Sequence, residues 1–261
     1  MTAQYNVCYN EAMTKIMVLP DIQAPYQDDA FIGRLLRVVR TWKPDEIVQV
    51  GDLIDLPEVS RWTKGLAGEY AGTLQASLDF TRDMLVKFRK AAPQARFRIK
   101  EGNHDERYEK YTRDHAPAKS DLRSESLAFQ LGLAGLDIEY ERKPFEVAPG
   151  VICAHGHEQA YSSIPGKYEL ERIRQYGTSV VTGHTHTPVL VTTTVGMGET
   201  SHHLFGMNVG HAMDESKAGY LKDGYSKWCK GFGILEVHDG VTYPRLVTAP
   251  KGRFVWQGKL Y

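Results

Sequence analysis

The sequence has no net charge, few cysteines and no long apolar run. Its 32 Lys and Arg residues balance 32 Asp and Glu residues, which argues against a protein whose main task is binding long nucleic acid or an anionic membrane. Three cysteines in 261 residues predict no disulfide scaffold and favour a reducing compartment, the cytoplasm. Residues 175–198 form the longest stretch without Asp, Glu, Lys or Arg, but glycine, histidine and proline interrupt it. We therefore expect no membrane span.

Several motifs of common enzyme classes are also missing. The sequence has no Gly-x-Ser-x-Gly, which excludes the nucleophile elbow of an α/β-hydrolase. It has no Gly-x₄-Gly-Lys-Ser/Thr, which excludes a phosphate-binding P-loop. His157-Glu158 is followed by Tyr161 where the short zinc-protease motif needs histidine. Because no Cys-x-x-Cys pair occurs, a structural zinc site is not indicated.

The apolar pattern of the first hundred residues predicts alternating strands and helices. Strands are expected at 14–20, 46–50 and 96–100, with one helix that Asp28 or Asp29 can cap and another around 74–90. The first helix has an aspartate cap at its start and the Lys43-Pro44 pair at its end. Three strands that alternate with these helices predict a parallel sheet covered by helices on both faces.

Past about residue 135 short β-like runs dominate. They lie at 137–141, 151–154, 179–182, 189–195, 202–205, 232–238 and 241–247, with one helical segment at 168–176. These runs predict a second, more mixed sheet packed on the first. Residues 57–73 and 212–230 are rich in Gly, Lys and aromatic residues, and we expect them to form loops near a site.

Five short polar segments each follow a β-like run, where open α/β sheets place their sites. They carry Asp21 and Gln23, Asp52 and Asp55, Asn103 and His104, His155 and His157, and His184 and His186. Alone, each segment is more often a solvated turn than a ligand pair. Their occurrence in one order, with carboxylate, amide and imidazole groups together, favours a pair of divalent metal ions.

The ordered segments resemble the calcineurin-like metallophosphoesterases. The signature of that family is Asp-x-His, Gly-Asp-x-x-Asp, Gly-Asn-His-Asp/Glu, a strand-terminal His and Gly-His-x-His. The resemblance covers roughly residues 16–211 and includes Asn208-Val209-Gly210. It implies an α/β fold, a two-sheet β-sandwich flanked by helices. Residues 1–261 are then expected to form a single metallophosphoesterase domain, with its motif core at about 14–211 and C-terminal strands to about 248.

The resemblance also implies roles for individual residues. The first of two metal ions would be held by Asp21, Gln23, Asp52 and His186. The second would be held by Asp52, Asn103, His155 and His184, with Asp52 as the bridge. The two catalytic candidates are His104, which is placed beside the leaving group, and Asp55, which orients it.

Two departures from the family pattern refine these expectations. Gln23 stands where the family usually has histidine, and because carbonyl oxygen suits Mn²⁺ better than Zn²⁺, we expect two Mn²⁺ ions. Leu56 stands where the protein Ser/Thr phosphatase branch has an arginine, which argues against a phosphoprotein phosphatase. Arg61, Arg107 and His157 are the candidate substrate-binding residues. Three further histidines, His202, His203 and His211, are expected around the site rather than in it.

The expected reaction is hydrolysis of a phosphate ester by a hydroxide that bridges two metal ions, with His104 donating a proton to the leaving oxygen. A neutral chain without a certain arginine clamp favours small phosphodiesters. Within the family this implies cyclic nucleotides, 2′,3′-cyclic ones included. A DNA or RNA nuclease and a general phosphomonoesterase stay open as alternatives. A binding module with a degenerate site, as in trafficking-complex subunits that resemble the family, is the alternative without catalysis.

Overall fold

The computed structural model describes residues 13–60, 64–65, 72–159, 162, 164–217 and 227–261. Its strands are β1 (Thr14–Leu19), β2 (Glu46–Gln49), β3 (Arg96–Lys100), β4 (Glu139–Glu141), β5 (Phe145–Ala148), β6 (Val151–Cys153), β7 (Ser179–Thr182), β8 (Val189–Val195), β9 (His202–Asn208), β10 (Gly231–His238), β11 (Val241–Thr248), β12 (Val255–Trp256) and β13 (Lys259–Leu260). Its helices are α1 (Asp29–Trp42), α2 (Leu74–Ala91), α3 (Glu106–His115), α4 (Leu127–Gln130) and α5 (Lys167–Tyr176).

These strands form two main sheets. The first has the order β11-β10-β1-β2-β3-β4, in which β1 to β4 are parallel and β10 and β11 are antiparallel to their neighbours. The second has the order β5-β6-β7-β9-β8, with parallel β6, β7 and β9 between antiparallel edge strands. Strands β12 and β13 pair with each other. The expected α/β fold with two sheets flanked by helices is confirmed.

The side chains of β1 show how the layers are arranged. Met17 and Leu19 belong to one apolar cluster with residues of α1 and α2, whereas Ile16 and Val18 belong to a second cluster with residues of the second sheet. Because successive side chains of a strand point to opposite faces, both faces of the first sheet are buried. Helices cover one face and the second sheet covers the other, so the expectation of helices on both faces was wrong. Helix α5 packs on the outer face of the second sheet.

Three strands expected in the second sheet lie in the first. Strand β4 pairs parallel with β3, and β10 pairs antiparallel with β1 in a register that sets Ile16 opposite Leu235. The β10–β11 hairpin thereby adds two strands to the edge that β1 would otherwise leave unpaired. Helix α1 begins as predicted, since the Asp28 side chain accepts a hydrogen bond from the Phe31 N–H. Among the described residues, no helix is long and apolar enough to cross a membrane.

Candidate metal centre

The candidate site lies where the carboxyl ends of parallel strands from both sheets meet. The polar residues at this edge are Asp21 and Gln23 after β1, Asp52 and Asp55 after β2, Asn103 and His104 after β3, His155 after β6, and His184 and His186 after β7. Backbone hydrogen bonds join the first two loops, because the N–H groups of Ile22 and Gln23 donate to the Asp52 carbonyl oxygen at 3.1 and 2.9 Å. The fold therefore gathers every residue expected to bind metal or to act in catalysis.

Asp52 lies at the centre of this group and is only 1% exposed. Its Oδ1 accepts a hydrogen bond from the backbone N–H of His104 at 2.8 Å. Its Oδ2 lies 3.2 Å from His155 Nε2 and accepts a hydrogen bond from Gln23 Nε2 at 3.4 Å. Asp52 thus contacts residues that follow β1, β3 and β6.

The His155 ring is oriented by the backbone of the first sheet. Its Nδ1 lies 3.0 Å from the Val50 carbonyl oxygen, to which it donates. Its Nε2 faces Asp52 and lies 3.1 Å from Asn103 Oδ1. In the neutral ring Nε2 then carries a lone pair that is directed toward two oxygen atoms, an arrangement that a cation between them would satisfy.

Asp21 and His186 form a second pair on the other side of Asp52. Asp21 Oδ2 accepts a hydrogen bond from the backbone N–H of His184 at 2.8 Å and lies 3.2 Å from His186 Nε2. Gln23 Nε2 lies 3.4 Å from both His186 Nε2 and Asp52 Oδ2. A half-turn of the Gln23 amide exchanges its nitrogen for its oxygen at this position.

Four residues of the site have a left-handed backbone conformation, which residues other than glycine seldom adopt. The φ angles are 50° at Gln23, 54° at Asp52, 66° at His184 and 56° at His186. Each such conformation costs on the order of 1–3 kcal/mol, and several together in one place are typical of functional sites. The clustering of four at one strand edge therefore indicates a site whose geometry is imposed by its surroundings.

Two glycines allow the loops to approach one another this closely. A Cβ on Gly102 would lie 2.2 Å from the Asp52 backbone nitrogen, and a Cβ on Gly183 would lie 2.1 Å from Asp21 Oδ1. Real Cβ atoms do not make such contacts. Only glycine at residues 102 and 183 leaves room for the two aspartates.

The carboxylates create a strongly negative environment. Burial lowers the pKa of His155, but the charges of Asp52 and Asp21 outweigh it and raise that pKa to about 10. Burial and the neighbouring His155 instead lower the pKa of His184 to about 4. Burial raises the pKa of Asp52, yet His104 and His155 hold it well below its usual value. The site thus combines an ionised Asp52 with a neutral His184, and it stabilises positive charge on His155.

These donors fit a divalent metal ion. Asp52, His155 and His184 each offer one ligand atom, and the three atoms lie within 4.8 Å of one another. Asp21 Oδ1 is buried and has no hydrogen-bond partner among the described residues. A buried carboxylate oxygen without a partner is costly unless it coordinates a metal. Carboxylate, amide and imidazole donors together suit a hard or borderline divalent ion.

His104 and Asp55 lie beside the metal-ligand candidates. His104 Nδ1 is 2.6 Å from Asp55 Oδ1, and His104 Nε2 is 3.7 Å from Asp52 Oδ2. Arg107 Nη1 donates to the Asp55 carbonyl oxygen at 2.7 Å, and Arg107 Nη2 lies 3.1 Å from His104 Nε2. Burial lowers the pKa of His104, but the charges of Asp52 and Asp55 raise it by more, to above its usual value.

A groove of about 490 Å³ opens next to this histidine, between α3 and the segment 57–60. Asn103 and Arg107 line it. Of the other substrate-binding candidates, His157 lies 5.2 Å from His155 between ring centroids, and its Nε2 is 3.0 Å from Glu106 Oε1. Arg61 lies outside the described residues.

Two further residues support the loops of the site: Asn208, which belongs to the Asn208-Val209-Gly210 segment noted in the sequence, and Glu158, to which sequence reasoning assigned no role. Asn208 Nδ2 donates to the Gly183 carbonyl oxygen at 2.5 Å and thereby supports the loop that carries two histidines. The Glu158 carboxylate accepts hydrogen bonds from the backbone N–H groups of His155 and Gly156 and lies 3.3 Å from Lys100 Nζ. Lys100 at the end of β3 was the available signal for Glu158, because a buried lysine needs an anionic partner.

Aromatic rings cover the outer side of His186. The centroid of Trp228 lies 4.2 Å from that of His186, and the centroid of His211 lies 5.2 Å from it. Burial, with the neighbouring His186, lowers the pKa of His211 to about 2. His211 therefore packs as a neutral ring behind His186. Parts of the two loops expected near the site, 61–63, 66–71 and 218–226, lie outside the described residues.

Comparison with known proteins decides the family. Residues 14–190 match the model of the calcineurin-like phosphoesterases. The chain belongs to the calcineurin-like phosphoesterase family. Membership supports a metal-dependent phosphoester hydrolase, because these phosphoesterases use divalent metal ions.

Individual relatives add little about activity. The Gene 54 protein of Mycobacterium phage L5 is 31% identical over 251 residues, which cover 95% of this chain and 98% of the relative. Its counterpart in Mycobacterium phage D29 has the same identity and coverage. Neither name states a reaction.

Among solved structures, Vps29 from Chaetomium thermophilum is 12% identical with a TM-score of 0.47 over 91% of this chain and 92% of that chain. Yfce, a phosphoesterase from E. coli, is 15% identical with a TM-score of 0.39 over 89% of this chain and 98% of that chain. At these scores neither likeness bears on function.

Proposed function

We propose that this calcineurin-like phosphoesterase is a binuclear metal-dependent phosphodiesterase that hydrolyses small phosphodiesters, 2′,3′-cyclic nucleotides among them. The observation that carries the proposal is the central position of Asp52. Its carboxylate lies between His155 on one side and Gln23 on the other, and His104 stands next to it. One carboxylate within reach of two donor groups is the arrangement that a bridged pair of ions requires.

The donors divide into two sets around Asp52. Asp21, Gln23 and His186 would complete one set, and their polar atoms lie 3.2 to 3.4 Å from one another or from Asp52. The other set would be Asn103, His155 and His184. Gln23 would present its amide oxygen after the half-turn described above. The oxygen-rich first set favours Mn²⁺ over Zn²⁺.

When bound, the two ions would supply an activated water as nucleophile and would neutralise charge on the phosphoryl oxygens. The chain itself supplies the proton for the leaving oxygen. Asp55 orients the His104 ring through the 2.6 Å contact at Nδ1. His104 Nε2 lies 3.7 Å from Asp52 Oδ2, and the protonated ring would donate from there to a departing alkoxide.

Features of the groove favour a diester over a monoester. A monoester dianion is best held by several arginines in bidentate contact. Leu56 is buried and offers no charge, and Arg107 is already engaged with the Asp55 carbonyl oxygen. An esterified group of a diester would lie in the groove.

A substrate screen tests the proposal. The full chain, loaded with Mn²⁺, is assayed on p-nitrophenyl phosphate, bis(p-nitrophenyl) phosphate, 2′,3′-cyclic AMP and duplex DNA, with and without excess chelator. We expect the highest kcat/KM on a small diester and no activity with chelator. A higher kcat/KM on the monoester or on DNA would refute the diester assignment, and full activity of metal-stripped protein would refute the metal centre.

A further inference from the structure

We propose that the groove beside His104 binds the nucleoside part of the departing alcohol and that Tyr111 is the stacking platform for its base. This inference rests on the proposed function and names the substrate group that the groove selects. Tyr111 lines the groove on α3 and is 43% exposed, although large aromatic side chains are usually more buried.

The tyrosine ring is held in place by its neighbour. Tyr111 and His115 stack with centroids 4.1 Å apart and planes 20° apart. His115 Nδ1 lies 3.0 Å from the Tyr111 carbonyl oxygen, which fixes the histidine ring. Because His115 lies one helical turn after Tyr111, it covers one face of the tyrosine ring, and helix geometry places Arg107 one turn before Tyr111. An immobilised aromatic face at the wall of a groove suits a planar base.

The position of Tyr111 relates it to the leaving group. Asn103, Arg107 and Tyr111 follow one another at four-residue spacing along one side of the groove, so Tyr111 stands about 6 Å along the helix from Arg107. Arg107 in turn contacts the Nε2 of His104, the nitrogen that would protonate the leaving oxygen. A nucleoside whose leaving oxygen lies at His104 would extend along the groove in the direction of Tyr111. The base is therefore expected on the departing side of the phosphorus.

The charge of the groove favours a neutral nucleoside over a run of phosphates. Three basic and three acidic side chains are among its lining residues, namely Lys64, Arg107, Lys110, Glu58, Glu106 and Asp114. This balance gives little attraction for a polyanion. Stacking, rather than charge, is then the main source of affinity along the groove.

Binding measurements test the platform independently of hydrolysis. Adenosine 3′-monophosphate and inorganic phosphate are titrated calorimetrically into the Mn²⁺-loaded full chain. We expect the wild type to bind the nucleotide more tightly than phosphate. Tyr111→Ala should weaken nucleotide binding about 5- to 150-fold, the range typical of one stacked base, and leave phosphate binding unchanged. Tyr111→Phe should keep the wild-type Kd.

A matched control and a second substrate pair complete the test. Tyr243 is an exposed tyrosine that also lies against a histidine, His238, but on β11, so Tyr243→Ala should change neither Kd. In kinetics, Tyr111→Ala should lower kcat/KM on 2′,3′-cyclic AMP and not on abasic ribose 2′,3′-cyclic phosphate.

The outcomes separate the two proposals. Equal affinity of the wild type for nucleotide and phosphate, or an unchanged nucleotide Kd in Tyr111→Ala, would overturn the base platform. Equal losses on the cyclic nucleotide and its abasic analogue would overturn it as well. Selective nucleotide binding without hydrolysis of any ester would leave the platform standing and overturn the proposed phosphodiesterase.

Discussion

The role of His104 gives the sharpest test of the proposed mechanism. Its ring is held by the 2.6 Å contact between Nδ1 and Asp55 Oδ1, and its Nε2 lies 3.7 Å from Asp52 Oδ2. If this nitrogen protonates the leaving oxygen, the importance of His104 must depend on how strongly that oxygen needs a proton. A ribose alkoxide is strongly basic, whereas p-nitrophenolate leaves without protonation at neutral pH. The substitution His104→Ala should therefore affect two diesters differently.

The expected size follows from the contribution of general acid catalysis. A well-placed acid accelerates a reaction about 10²- to 10⁴-fold, which corresponds to about 2.7 to 5.4 kcal/mol of transition-state stabilisation. We expect a loss of that size in kcat on 2′,3′-cyclic AMP. On bis(p-nitrophenyl) phosphate the loss should be less than about tenfold, because no proton has to be transferred to the departing phenolate.

The assay compares initial rates of the wild type, His104→Ala and Asp55→Asn on both diesters, with metal content measured for each protein. Asp55→Asn keeps a hydrogen-bond acceptor for His104 Nδ1, so its loss should show the same substrate dependence but be smaller. Equal losses on the two diesters with full metal content would mean that His104 serves phosphate binding or site structure. Loss of metal in His104→Ala would show that its contact with Asp52 supports the metal centre instead.

Three further substitutions test the metal centre. Asp52→Ala should abolish activity and lower the bound metal toward zero, measured by elemental analysis, because it removes the carboxylate shared by both donor sets; retention of two ions would contradict the bridge. Gln23→Ala should weaken metal binding in a calorimetric titration while Gln23→His keeps or strengthens it, and an unchanged Kd in the alanine variant would exclude Gln23 as a ligand. Gly102→Ala should displace Asp52 and reduce metal affinity, because the added Cβ would lie 2.2 Å from the Asp52 backbone nitrogen. Gly135→Ala is the control, because a Cβ added there would have no atom within 4 Å. Equal metal binding in both variants would refute the steric argument.

The periodicity of apolar residues predicted those helices whose apolar residues lie on one face. Helices α1 and α2 bury such faces against the first sheet, and their predicted bounds were correct to within about one residue. Helix α3 was not predicted, because Tyr108 is its only buried residue. A helix that is polar nearly all round carries no periodic apolar signal. This helix nevertheless forms one wall of the groove.

Pairing between distant strands could not be predicted in the same way. The runs at 232–238 and 241–247 read as strands, but a strand-like run does not say which sheet it joins. In β1 every residue from Ile16 to Leu19 is buried, so the pattern shows that both faces are covered and not what covers them. The second sheet, rather than helices, covers one face because the short strands after residue 144 supply a second apolar surface.

The loops of the site show where sequence information ends. A residue in the left-handed conformation reverses the direction of the backbone sharply just after a strand ends. Gly51 and Gly183 immediately precede Asp52 and His184, which have this conformation, so the Gly-Asp and Gly-His pairs in the sequence already indicated such turns. Gln23 has a φ of 50° as well, yet Ile22 precedes it and no local signal marks the turn. Its conformation depends on hydrogen bonds from Ile22 and Gln23 to the carbonyl oxygen of Asp52, which lies 29 residues further along the chain. The motif therefore identifies which side chains meet, while the position of Gln23 follows from contact with a loop that is distant in the sequence.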